Sequence, residues 1–80
     1  MLDSISRLHI RIRCVMASYN ESVDSSDFVL AMSDRSRLRE LSKVAKIYGS
    51  EVSFRMSGNY FQYYSIDGQW FDIYGEEVSI

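Results

Sequence analysis

The chain has 80 residues, nine Lys/Arg against eleven Asp/Glu, one histidine, one cysteine and no proline, with 46% apolar and 25% charged residues. A chain this short buries only about 60% of the surface its unfolded form exposes, which leaves room for one core and little for an enclosed cleft. No apolar run approaches the roughly 18 residues of a membrane span, and a net charge of −2 does not suit a domain built mainly to hold a polyphosphate backbone.

Met1-Leu2-Asp3-Ser4-Ile5-Ser6-Arg7 lacks the basic and apolar regions of a secretory signal, so a cytoplasmic chain starting at or near Met1 is expected. Leu8 to Met16 then alternates. Leu8, Ile10, Ile12, Cys14 and Met16 take one parity and His9, Arg11 and Arg13 the other, which is the period-two signal of a half-buried strand. On that reading His9, Arg11 and Arg13 form a basic row, and Cys14 is a small buried hydrophobe. Ser18 to Asp27, rich in Ser, Asn, Glu and Asp, reads as a loop. Phe28 to Met32 follows as a second strand, or as the first turns of a helix beginning at Ser25 or Ser26.

From Ser33 or Asp34, either of which can cap a first turn, Leu38, Leu41, Val44, Ala45 and Tyr48 recur at helical spacing. Gly49 ends this helix. Arg35, Arg39, Lys43 and Lys46 fall within about 80° on it, a basic stripe. Beyond Gly49 the pattern returns to period two. Gly58-Asn59 and Asp67-Gly68 mark two hairpin turns, and the C-terminal third reads as a three-strand meander. The expected fold is a single α+β domain over residues 1–80, one helix on an antiparallel sheet, in the order β-β-α-β-β-β.

Two-residue turns fix the register. Asp67-Gly68 places Tyr64 opposite Phe71, and Gly58-Asn59 places Met56 opposite Phe61 and Arg55 opposite Gln62. Val52, Phe54, Met56, Phe61, Tyr63, Trp70 and Tyr74 then share the face under the helix. Ser53, Arg55, Tyr60, Gln62, Tyr64, Ile66, Phe71 and Ile73 share the open face. An exposed apolar cluster rimmed by polar groups is a partner-binding surface, carried here by Arg55, Tyr60, Tyr64, Phe71 and Ile73.

Charge divides unevenly along the chain. Residues 1–46 carry eight cations and six acids, and residues 47–80 carry Arg55 against five acids. Catalytic pairs are not apparent: His9 has no second histidine to work with, and its strand position turns it away from Cys14. With one His and one Cys, no zinc cluster can be built, and neither metal nor cofactor is expected. The expected function is that of a non-enzymatic inhibitor or adaptor docking on a larger protein or nucleoprotein complex. Virus-encoded counter-defence inhibitors of the anti-CRISPR or anti-restriction type fit this profile. A single-stranded nucleic-acid module using Arg11, Arg13, Arg55, Tyr60, Tyr64 and Phe71 is the alternative, and a homodimer is the third reading.

Overall fold

The computed structural model describes residues 3–80; Met1 and Leu2, at which the expected start of the chain falls, lie outside the described residues. Two helices precede a four-stranded meander: α1 (Ser4–Asp24), α2 (Phe28–Ile47), β1 (Val52–Ser57), β2 (Tyr60–Ile66), β3 (Gln69–Asp72) and β4 (Glu77–Val78), with sheet order β1-β2-β3-β4, every pair antiparallel. This α-α-β-β-β-β order corrects the expected β-β-α-β-β-β. The α+β class and the antiparallel sheet stand; the first two strands are replaced by helix. No helix among the described residues is long and apolar enough to cross a membrane.

The first correction has a visible cause. Leu8 to Met16 satisfies both periods, because Leu8, Ile12, Val15 and Met16 also fall on one helical face. The longer window decides between them, since the helical spacing continues through Tyr19, Ser22 and Val23 while the alternation stops at Met16. No glycine or proline interrupts residues 3–48, and Asp3 caps the start by accepting from the Ser6 N–H at 2.7 Å. The segment Ser18 to Asp27 is therefore mostly helix. Only Ser25 to Asp27 connects the two helices, with Ser26 at φ 58. Asp27 caps α2 by accepting from the Leu30 N–H, so Phe28 to Met32 forms the first turns of a helix that starts six residues before Asp34. Gly49, at φ 89, closes α2 where expected, and the Ser50 N–H reaches back to the Ala45 carbonyl at 2.9 Å.

The helices form an antiparallel hairpin over one side of the sheet. Its core joins Ile12, Met16, Tyr19, Ala31, Leu38 and Ala45 to Val52, Phe61, Tyr64 and Ile66, with Leu8, Val15, Leu41, Phe54, Phe71 and Ile73 packed around them. One charged side chain lies inside it. Asp34 is fully buried between the helices, accepts from the Ser18 hydroxyl at 2.6 Å, and faces the exposed Arg37 at 3.5 Å.

The second correction concerns the faces of the sheet. Both hairpin turns sit as expected, with Ser57 opposite Tyr60, Met56 opposite Phe61, Ser65 opposite Trp70 and Tyr64 opposite Phe71. Between Met56 and Arg55 the register slips, so that Arg55 opposes Tyr63 and Gln62 has no partner. A bulge of one residue moves every later side chain of that strand to the other face. Tyr64, Ile66 and Phe71 therefore join Val52, Phe54 and Phe61 beneath the helices, and Tyr63 and Trp70 turn outward. Tyr64 is 0% exposed. Tyr74, expected in the core, is 76% exposed. The Asn20 side chain clasps the bulge: its amide N–H donates to the Phe61 carbonyl at 3.0 Å, and its oxygen accepts from the Phe61 N–H at 2.9 Å.

Deleting Gln62 should leave the fold intact, because the remaining residues pair in an unbroken register with the same inward set. Deleting Ser65 should abolish it by throwing Ile66 to the wrong face. Thermal unfolding of the two deletion variants checks the pair.

Candidate functional site

The residues expected to form one binding surface are dispersed. Tyr64 is buried, and Phe71 and Ile73 are half-buried against the core. Arg55 and Tyr60 remain exposed, but Arg55 lies over the Trp70 ring at 5.7 Å, and the Tyr60 hydroxyl donates to Asp24 at 2.5 Å. That carboxylate raises the Tyr60 hydroxyl above the usual phenol range. The basic row is also broken up. At 100° per residue, His9 and Arg13 share a side of α1 while Arg11 points about 160° away from Arg13, into solvent. Cys14, expected to be buried, is exposed.

The helical stripe fares differently. Arg35, Arg39, Lys43 and Lys46 are all exposed on α2. Among the described residues the only ion pair these four make is Lys43 with Glu40, at 3.7 Å and open to water, which contributes little. Because α2 begins at Phe28, the stripe has an N-terminal continuation that a helix beginning at Ser33 would lack. At 100° per residue Phe28 and Met32 fall inside the same arc of about 80° as the four cations. Phe28 is 63% exposed, Met32 61% and the adjacent Val29 85%. One helix face thus runs about 27 Å from an apolar end, Phe28 with Met32, to a cationic end, Lys43 with Lys46. The buried positions Ala31, Leu38 and Ala45 lie to one side of it. No protein family, curated protein or solved structure matches the chain. The helix face and the residues around it are the ground for a functional reading.

Beside this face, a hollow of about 290 Å³ opens between α2 and the sheet, rimmed by Arg35 and Arg39 and floored by Leu38, Phe54, Met56 and Phe61. Apolar floor and cationic rim repeat the character of the helix face. Charge is layered in the same sense. The two helices and their caps hold eight cations against six acids, while the segment from Ile47 onward holds one cation against five acids.

A second constellation occupies the other side of the molecule. His9 and Arg13 of α1 stand over Tyr64 and Phe71 at a hollow of about 390 Å³ closed by Tyr74 and Gly75. The His9 Nδ1 and the Tyr64 hydroxyl share a hydrogen bond of 2.7 Å, and the His9 ring meets Phe71 edge-on at 4.7 Å. Burial, then the Arg13 cation, holds the His9 imidazole below its ordinary range, against an opposing pull from Asp3. Burial also raises the Tyr64 hydroxyl; Arg13 works against that rise and Asp72 adds to it.

The depressed imidazole predicts a pH dependence of stability. Unfolded, His9 takes up its proton near pH 6.5, and folded it does so only at lower pH. Between the two values the unfolded chain binds more protons, so the stability present above pH 6.5 is lost as pH falls through the folded value. Thermal midpoints should fall on acidification over that window, and His9→Gln should flatten this part of the profile.

Sequence reasoning missed Phe28, Val29 and Met32 as surface residues because a run of five apolar side chains suits a buried strand equally well. The signal that finds them is Asp27 as a cap, followed by extension of the basic stripe back by two turns. His9 with Arg13 was lost to the strand reading, which put Arg11 between them on the same row.

Proposed function

We propose that the chain is a non-enzymatic protein-binding module, an inhibitor or adaptor that docks the exposed face of α2 on an acidic surface of a larger protein or nucleoprotein complex. The observation that carries this reading is the continuity of exposed Phe28 and Met32 with Arg35, Arg39, Lys43 and Lys46 on one helix face. Phe, Met and Arg are the residue types enriched where interfaces lose water, and an amphipathic helix of this kind seats its apolar residues in a groove while its cations meet the rim. The arrangement fits a protein better than a nucleic acid. A phosphate backbone has no use for the apolar end, and the acidic sheet segment would repel it. Self-association through this face would bring the central Arg35 and Arg39 of two copies together. An inhibitor of the counter-defence type, covering a nucleic-acid site on its target, is one form such a module takes.

Capture from a native lysate after nuclease treatment tests this, with wild type beside a Phe28→Ser/Met32→Ser variant. The reading predicts a stoichiometric protein that survives nuclease and is retained only by wild type. Material lost on nuclease treatment, or held equally by both chains, would contradict it.

A further inference from the structure

We propose that the hollow beneath His9 and Arg13 binds a small organic oxyanion, a phosphate or carboxylate group carried on an apolar body. The site lies on α1, the sheet and the turn after β3, apart from the exposed face of α2. Its polar lining is Ser6, His9, Arg13 and Tyr64, and its apolar walls are Ile10 and Phe71. Among the described residues no carboxylate lines it.

Arg13 lacks a counter-charge. Its Nη1 donates to the Tyr74 carbonyl at 3.0 Å, its Nε is buried without a hydrogen-bond partner, and among the described residues it makes no ion pair. Gly75 presses against it: a Cβ there would stand 3.0–3.2 Å from the guanidinium, and the glycine sits at φ 84. The turn is thus built flush against a guanidinium that is partly withdrawn from water and left unneutralised. Such a cation favours an anion beside it, and guanidinium with an oxyanion is a strong charge-assisted pairing.

The carboxylates nearby each turn one oxygen to backbone N–H groups and make no ion pair with Arg13. Asp72 accepts from the Tyr74 and Glu76 N–H groups, each at 2.9 Å, and Asp3 from Ser6. The groups acting on His9 are Arg13 and Asp3 along its own helix and cap, and Tyr64 from β2, itself influenced by Asp72 of β3. An anion entering this set offsets the Arg13 charge and makes the imidazolium favourable, so binding should be coupled to proton uptake at His9. The apolar walls then select for an oxyanion on an aromatic or aliphatic body.

Because His9 is the only histidine, its ring signals in an NMR pH titration read the site without ambiguity. Phenyl phosphate and benzoate should each raise the His9 pKa saturably, by about half a unit or more, and inorganic phosphate should do so less. Arg13→Gln should abolish the shift, and so should Ile10→Trp, which fills the hollow from a wall residue already partly exposed and so preserves the fold if Arg13→Gln does not. Arg11→Gln, on the far side of α1, should keep it. No shift, a shift undiminished in Ile10→Trp, or an equal loss in Arg11→Gln would overturn the site. Equal shifts from inorganic and phenyl phosphate would overturn the role of the apolar walls.

Discussion

Tyr64→Ala is expected to unfold the protein. The ring is fully buried at the centre of the sheet, stacked on Phe71 at 5.3 Å and edge-on to His9 at 5.6 Å. Truncating a buried aromatic to Ala costs about 3–5 kcal/mol, set against about 5–15 kcal/mol for a whole domain and the low end of that range for one of 80 residues. Tyr64→Phe keeps the ring and loses only the hydrogen bond to His9, so it should cost about 1 kcal/mol. Tyr63→Ala, one residue earlier on the outer face, should lower the midpoint slightly. Denaturant unfolding of the three variants separates the two possible face assignments. Had the strand run without its bulge, the order of Tyr63 and Tyr64 would be reversed.

The second large effect falls on binding and not on folding. Phe28→Ser with Met32→Ser removes two side chains that are each more than 60% exposed, so the helix hairpin beneath should be unaffected. Full burial from full exposure is worth about 1.5–3 kcal/mol per side chain and each of these is already more than a third buried, which makes the pair about 2 kcal/mol at the least in a complex that buries them and the loss of affinity roughly thirtyfold or more. Arg39→Glu with Lys43→Glu should instead act mainly through a slower association and a flatter response to salt, since the attraction that salt screens is gone. Isothermal titration at two ionic strengths distinguishes the two variants, and unchanged thermal unfolding of both confirms that the fold is not the cause.

Much of the chain could be read before its structure was known, and the failures are specific. Glycine placed the end of α2 at Gly49 and the β2–β3 turn at Asp67-Gly68, since left-handed backbone leaves a strong mark on residue choice. The basic stripe survived because four cations at helical spacing have one simple arrangement. Leu8 to Met16 failed because Ile10 and Cys14, apolar residues on the exposed side of α1, complete an alternation that the buried set of the helix does not need. The inner face failed at Gln62, an ordinary polar residue with nothing to mark it as a bulge. What fixes the bulge is Asn20, some forty residues earlier, clasping Phe61 from another element. A contact at that separation leaves no local pattern. Misplacing one residue of register then exchanged Tyr64 and Phe71 for Tyr63 and Trp70 and moved the expected binding surface to the wrong side.

The central claim is that a partner seats on the exposed face of α2. The side chains needed to test it occur naturally: Met32 on that face, Met16 fully buried under it, and Trp70, the only tryptophan, on the outer sheet. With methyl-labelled methionine, NMR titration of the chain with the partner retained after nuclease should shift or broaden the Met32 methyl signal, while Met16 and the Trp70 indole hold their positions. A Met32 signal that stays put while Trp70 moves would place the partner on the sheet and contradict the account.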